Sequence, residues 1–309
     1  MEYLFAIIRR FSRGKIVFII PLVIFAGNMY AQSGTSTSGS LLWKISGKDL
    51  AKPSYLLGTF HLKSGEYLDS IPGAKTALQS CEQVVGELNM SDMAGLQIRM
   101  QQAMMMTPDT TYRMLYSDED YQFVSEKTAS LTGAGLDQLG VLKPAAIQLA
   151  IITLVYANYF PDINPTNILD IRIQTEAVKH QKPVLALETI DDQIHVLFGM
   201  MDLQRQADML LCNLKNLDEL ITSIPELIND YNQGNLNKLY EQMEESDSCP
   251  STPQETDALN KDRNNAWMQK LPEMMKEKSS FIAVGALHLG GEDGLLNLLE
   301  KAGYNVEPM

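Results

Sequence analysis

Two histidines occupy matching positions in a pattern that occurs twice in the sequence. Residues 54–66 form an apolar run that ends in Gly-x-x-His61 and continues through Leu, Ser and Gly to a Glu. Residues 280–292 repeat this order around His288 with a loop shorter by one residue. Imidazole is the commonest metal ligand, and ligands of open α/β sheets gather beyond the carboxyl ends of strands. The repeat therefore predicts a two-histidine metal site, provided that the two strands lie side by side.

The same pattern has a simpler structural interpretation. A single Gly-x-x-His more often caps the end of its strand through hydrogen bonds, and only two of the four histidines belong to the repeat. The recurrence of strand, Gly, His, Gly and Glu favours the metal site over two unrelated caps. A duplicated structural unit that binds no metal is the alternative.

Glutamates stand where further strands are predicted to end. Glu87 closes the strand after the first repeat, and Glu188 closes the apolar run 184–187. A carboxylate at the end of a buried strand is unfavourable unless it is paired or ligated, so both are candidates for ligand or general base. Glu66 and Glu292, which follow the two histidines, are reserve candidates that could simply begin the next helices.

A cationic and amide pair lies on a predicted helix near the end of the chain. Arg263 could stabilise an oxyanion or hold a carboxylate, and Asn264 could donate to the same group. The alternative is a salt bridge that faces solvent. The two remaining histidines, His180 in a polar loop and His195 on a helix, are interpreted as surface or core residues.

The elements that must position these residues come from both ends of the chain. Strands are predicted at 41–45, 55–60 and 83–88, and again at 183–188, 281–285 and 304–308. The fold class is therefore α/β (α+β), with a central mixed sheet built from two related β-α-β halves at the chain ends. A helical middle insert of about 90–280 covers the sheet, and its methionines are interpreted as core filler.

The first residues resemble a targeting segment. A basic stretch precedes the apolar run 16–26, and small residues before Gln32 resemble a cleavage site. The sequence thus predicts a secretory signal peptide at 1–31, a disordered linker at 32–40 and one large domain with a helical insert at 41–309. This organisation predicts an exported protein, periplasmic or secreted, without stable membrane insertion after signal cleavage; an uncleaved membrane anchor is the alternative.

Net charge and cysteine content argue against some partners and against a cysteine nucleophile. The net charge of −13 gives the chain no electrostatic attraction to nucleic acid or anionic lipid, so neither is an expected partner. The chain has three cysteines, so outside the cytoplasm one pair could form a disulfide and one cysteine would be left over. A Cys212–Cys249 disulfide with Cys81 buried is the favoured pairing, and none of the three is placed like a nucleophile.

Together these residues resemble the TraB/PrgY/GumN family, which includes the Tiki proteases. The resemblance covers roughly 41–309 and is closest to the GumN branch. Five motifs carry it: Gly-Thr-Phe-His61, Gly-Ala-Leu-His288, the strand before Glu87, Leu-Glu188-Thr followed by Gln193, and Arg263-Asn264-x-x-Trp267.

The family implies a divalent-metal hydrolase. By resemblance, His61, His288 and Glu87 become metal ligands for one ion (Zn, Mn or Co), Glu188 a second carboxylate, and Arg263 with Asn264 a polar partner set.

In this interpretation Glu188 or Glu87 takes a proton from water, and Arg263 stabilises the tetrahedral intermediate. Peptide is the preferred substrate. A metal-dependent esterase or lactonase and a non-catalytic envelope peptide-binding module are the alternatives, and the oligomeric state is left open.

Overall fold

The computed structural model describes residues 39–161, 163–244 and 248–309. The predicted signal at 1–31, and the predicted linker up to residue 38, lie outside the described residues. The chain divides into two compact units. One contains 92–166 and 190–222, and the other contains 39–91, 167–189 and 223–309. Every residue singled out as a ligand or catalytic candidate belongs to the second unit, which is called the sheet unit below.

The sheet unit is built on six described strands. In chain order these are β1 (Leu42–Ser46), β2 (Ser54–Thr59), β3 (Gln83–Gly86), β4 (Val184–Ala186), β5 (Ser280–Gly285) and β6 (Asn305–Pro308). Their order across the sheet is β4-β3-β5-β2-β1-β6. β1 pairs antiparallel with β2 and β6, whereas the pairs β2–β5, β3–β5 and β3–β4 are parallel. The predicted mixed sheet with strands from both chain ends is confirmed.

The two repeated strands lie side by side. In the β2–β5 pair Gly58 is opposite Val284 and Thr59 is opposite Gly285. Both strands are almost wholly buried, as expected for parallel strands that read as continuous apolar runs. The assumption behind the two-histidine hypothesis is therefore met.

The helices follow from the same chain order. They are α1 (Ala74–Ser80), α2 (Met93–Ala103), α3 (Tyr112–Leu115), α4 (Asp118–Thr132), α5 (Leu136–Leu139), α6 (Pro144–Ala157), α7 (Leu169–Lys179), α8 (Ile190–Ile194), α9 (Leu203–Lys215), α10 (Leu217–Asn232), α11 (Leu236–Glu244), α12 (Pro253–Leu259), α13 (Lys261–Met268), α14 (Leu271–Glu277) and α15 (Leu295–Lys301). Short 3₁₀ segments cover Gly65–Asp69, Met90–Asp92 and Ala286–His288, and His195–Gly199 is a π-helical segment.

The strand connections leave in opposite directions at the carboxyl ends of β3 and β5. From β3 the chain continues to β4 on one side of the sheet, while from β5 it crosses through α15 to β6 on the other side. Neighbouring parallel strands whose connections leave in opposite directions form a topological switch point, where ligands of α/β sheets bind. Glu87 and His288 follow these two strands directly.

The first unit, which contains 92–166 and 190–222, has its own core. Helices α4, α6 and α9 pack together, and Val124, Ile151 and Leu210 are buried there. Met100, Met104 and Met106 are buried, as the core interpretation predicts, whereas Met105 is 44% exposed.

Two further predictions can be compared with the structure in detail. The apolar run before Glu188 forms a strand of only three half-buried residues, because β4 is an edge strand. Cys212 and Cys249 are disulfide-bonded and Cys81 is free and buried, in agreement with the favoured pairing. Within the described ranges, no helix combines the length and apolar character needed to cross a membrane.

Candidate metal and catalytic site

Four candidate side chains lie at one edge of the sheet because four parallel strands end there. His61 stands two residues after β2, Glu87 directly after β3, Glu188 two residues after β4, and His288 in the 3₁₀ segment after β5. The backbone keeps the two glutamates adjacent, since the N–H of Glu188 donates to the carbonyl of Glu87 at 3.1 Å. The spacing seen in the sequence thus becomes a cluster in space.

Gly285 marks the point where three of these side chains meet. A Cβ placed on Gly285 would stand 3.4 Å from Glu87 Oε1, 3.6 Å from His288 Cδ2 and 3.9 Å from His61 Nε2. The glycine of the second repeat therefore leaves room between both imidazoles and one carboxylate. A side chain at this position would project into that space.

A carboxylate stands behind His61. Nδ1 of His61 lies 3.0 Å from Asp170 Oδ2, and Asp170 Oδ1 accepts from the Thr59 hydroxyl at 2.7 Å. Asp170 lies in the first turn of α7, where a negative charge is favoured by the helix dipole. A carboxylate on Nδ1 directs the Nε2 of the same ring outward, which is the usual arrangement of a metal-binding or acid–base histidine.

The electrostatics of His61 follow from that neighbour. Burial alone lowers the pKa of His61, but the Asp170 carboxylate outweighs it and raises the pKa to about 9. In the metal-free protein, His61 is therefore a cation at neutral pH. Nε2 can act as a ligand or base only after it has lost this proton.

An amide stands behind His288. Nδ1 of His288 lies 2.8 Å from Asn264 Oδ1, while Asn264 Nδ2 donates to the carbonyls of His288 and Asp293 and to Asn260 Oδ1. Because three acceptors fix the orientation of the Asn264 amide, its Oδ1 must accept the proton on His288 Nδ1. Nε2 of His288 then carries the lone pair, and it accepts from Arg263 Nη1 at 3.0 Å.

His288 is thus held in its neutral form. Burial, followed by repulsion from the Arg263 guanidinium, lowers the pKa of His288 to about 3. The ring is only 1% exposed and packs on Trp267 with ring centroids 4.4 Å apart. Two histidines from one repeated motif therefore differ in charge at neutral pH.

Arg263 connects the two glutamates. Its Nη2 donates to Glu87 Oε2 and to Glu188 Oε1 at 2.7 Å each, and its Nε donates to Glu188 Oε2 at 3.0 Å. Trp267 Nε1 also donates to Glu188 Oε2. Arg263 and Trp267 reach the same carboxylate because positions i and i+4 share one face of α13. The predicted Arg263 pair is therefore buried rather than facing solvent.

Glu87 keeps one oxygen toward the histidines. Its Oε1 accepts from the Gly285 N–H at 2.8 Å, while its Oε2 is bound to Arg263. Burial raises the pKa of Glu87, but Arg263 above all other neighbours lowers it to about 2. Glu87 is therefore ionised, and its Oε1 lies near the same Cβ position of Gly285 as His61 Nε2, whereas the oxygens of Glu188 point to Arg263 and Trp267.

The donor set fits a divalent cation in its chemistry. Two imidazoles and a carboxylate are common ligands of zinc and related ions, and Asp170 and Asn264 supply the outer hydrogen bonds that such imidazoles need. As arranged, however, His288 Nε2 is directed at Arg263. Accordingly, within the part of the chain that the structure describes, no group of three or more His, Cys, Asp or Glu side chains is close enough to hold an ion.

This cluster contains all six residues predicted from the sequence and also Asp170 and Trp267. Asn264 hydrogen-bonds to His288 and so positions the His288 ring. The reserve candidate Glu66 lies in the 3₁₀ segment Gly65–Asp69. It accepts hydrogen bonds from Ser64 and from Asn167, which lies in the loop before α7.

Asp170 belongs to none of the motifs described above, although an acid between the apolar Leu169 and Ile173 is a usable signal of a buried carboxylate. Trp267 was noted only as part of a motif.

Comparison with known proteins shows the family of the chain. The model of the TraB/PrgY/gumN family matches residues 41–308, and the chain belongs to that family. Two curated relatives are metalloprotease TIKI1 of Xenopus tropicalis, 27% identical over 88% of this chain and 62% of the relative, and metalloprotease TIKI2 of Danio rerio, 26% identical over 87% and 60%. The chain thus spans about three fifths of these relatives. No solved structure matches the chain significantly.

Proposed function

We propose that this protein is an exported, divalent-metal-dependent hydrolase that cleaves peptide bonds. The observation that carries the proposal is the meeting of His61 Nε2, Glu87 Oε1 and the His288 ring around Gly285, at the switch point of the sheet. Both curated relatives are named metalloproteases, which supports peptide as the substrate. The basic and apolar segment at the start of the sequence supports export.

His61, His288 and Glu87 are the residues that would hold the ion. Such an ion supplies Lewis acidity, which lowers the pKa of water and polarises a carbonyl group. Asp170 keeps the proton of His61 on Nδ1, and Asn264 does the same for His288. Each ring thereby presents Nε2 as its donor atom, so the two outer residues prepare the site without touching substrate.

The sequence leaves open which of Glu188 and Glu87 is the ligand and which is the proton acceptor, and the geometry favours Glu87 as the ligand. Glu87 Oε1 lies 3.4 Å from the Cβ position of Gly285, which the rings of His61 and His288 also approach, so this oxygen could bind the ion. Both oxygens of Glu188 receive N–H donors from Arg263 or Trp267. Glu188 therefore positions the guanidinium, which would stabilise negative charge developing on the carbonyl oxygen.

A substrate panel tests the proposal. The full chain, loaded in turn with Zn²⁺, Mn²⁺ and Co²⁺, is assayed on a mixed peptide library and on simple esters and lactones, with and without chelator. The proposal predicts peptide cleavage that chelator abolishes and added metal restores. Cleavage of esters alone would indicate the esterase alternative. Binding of peptides without turnover would indicate a binding module.

A further inference from the structure

All five N–H bonds of the Arg263 guanidinium have acceptors in the structure. The Nε and Nη2 donors go to the two glutamates, and the Nη1 donors go to His288 Nε2 at 3.0 Å and to the Leu259 carbonyl at 3.3 Å. An arginine that stabilises a developing oxyanion needs an N–H for the substrate. In this state none of the five is available for that purpose.

The five bonds are not equivalent. The Nε and Nη2 bonds join a cation to two buried carboxylates, and charge-assisted bonds of this kind are roughly twice as strong as neutral ones. The Nη1 bonds go to an uncharged ring and to a backbone carbonyl. The guanidinium is therefore anchored through Nε and Nη2, and the Nη1 side is the part that can exchange partners.

His288 has only one nitrogen that can bind a metal. Asn264 holds the proton on Nδ1, so the lone pair is on Nε2, and that lone pair is directed at Arg263 Nη1. The same pair of electrons is needed by the ion of the proposed function. Arg263 and the ion thus compete for one atom.

We infer that Arg263 is a built-in placeholder for the metal: it occupies His288 Nε2 in the metal-free protein, and metal binding at this atom releases one Nη1–H for the substrate oxyanion. The inference rests on the proposed metal site and adds a coupling to it. The oxyanion donor becomes available only when the ion is in place, because the two events share one hydrogen bond.

The charge-conserving variant Arg263→Lys tests the coupling. A lysine ammonium keeps the positive charge beside the glutamates but cannot reproduce the planar fork that also reaches His288. Isothermal titration of the full chain with Zn²⁺, Mn²⁺ or Co²⁺ is expected to show metal binding roughly tenfold tighter in this variant, the equivalent of one lost hydrogen bond. Turnover in the substrate panel is expected to fall about a hundredfold.

A matched control is Arg172→Lys in α7. Arg172 is a half-buried arginine that pairs with Glu176 and not with the glutamates of the site, so metal affinity and turnover should stay at the wild-type values. Equal or weaker metal binding by Arg263→Lys, with wild-type binding intact, would overturn the placeholder while leaving the metal site standing. Absence of metal binding in wild type would overturn the proposed function itself.

A measurement on the wild type covers the case in which Arg263→Lys does not fold. Histidine ¹⁵N spectra report which ring nitrogen carries a proton and which binds metal, and the chain has only four histidines. Metal-free His288 should show a protonated Nδ1 and a hydrogen-bonded Nε2, and added Zn²⁺ should shift Nε2. Binding of Zn²⁺ without change at His288 Nε2 would contradict the inference.

Discussion

The two copies of the Gly-x-x-His motif hold histidines of opposite character. His61 has a carboxylate behind Nδ1, keeps a side chain 19% exposed, and is a cation at neutral pH. His288 has an amide behind Nδ1, is almost fully buried, and is neutral. Position in the repeat fixed where each ring stands. Residues from outside the repeat, on α7 and α13, decide its charge.

This difference indicates a division of labour within one site. A cationic ring that can lose its proton and a neutral ring that already presents a lone pair are two different starting points for the same ligand role. Variants of the residues around the two rings test this difference, first of all Glu87.

The largest effect is expected at Glu87. Its Oε1 and His61 Nε2 both approach the Cβ position of Gly285, so Glu87→Gln should weaken metal binding about a hundredfold or more, because a ligand charge is lost. Glu188→Gln should keep metal affinity within a few-fold but lower turnover about a hundredfold, since it loosens Arg263. Titration with metal and the substrate panel measure both.

The control for this pair is Glu66→Gln, which should change neither quantity. If Glu188→Gln loses metal and Glu87→Gln does not, the two glutamates exchange roles. If both variants keep full activity, suspicion moves to Glu66 and Glu292.

A smaller effect on stability separates the two residues behind the rings. Asn264→Ala leaves buried acceptors on His288, Asn260 and Asp293 without their donor, so it should destabilise the metal-free protein by about 2–4 kcal/mol. Asp170→Asn keeps the shape of the group and should cost about 1 kcal/mol at pH 9, where the ion pair is weakened. Urea unfolding with near-ultraviolet circular dichroism measures both. Equal losses would mean that the two rings are backed equally.

The last effect is a decline in stability at alkaline pH that comes from His61. The pKa of His61 is raised to about 9 by Asp170, so its contribution to the stability of the metal-free protein is fully present below pH 6.5 and is lost as the pH rises through 9. A shift of this size corresponds to at most about 3 kcal/mol. In Asp170→Asn this decline should disappear. A decline that persists in the variant would assign it to another group.

The sequence predicted the sheet and the four residues at its strand ends because both depend on local patterns. Apolar runs that end in Gly-x-x-His61, Glu87, Glu188 and Gly-x-x-His288 predict strands, and parallel strands bring their ends together. The strand pairing itself could only be assumed from the repeat.

The rest depends on contacts between distant residues. Arg263 lies in a polar stretch that reads equally well as a solvent-facing helix, and only packing against Trp267 and Glu188 buries it. The different charges of the two histidines could not be predicted, since Asp170 and Asn264 come from separate helices. Hydrogen-bond partners of this kind leave no spacing in the sequence.

The central claim is that His61, Glu87 and His288 together hold one divalent ion, and metal content tests it most directly. The full chain, His61→Ala, His288→Ala and the control His180→Ala are equilibrated with Zn²⁺, Mn²⁺ or Co²⁺, desalted and analysed by mass spectrometry. The expected result is one ion per chain in wild type and control, and near-complete loss in each of the other two, with unchanged far-ultraviolet circular dichroism. Stoichiometric metal in both His61→Ala and His288→Ala would contradict the account.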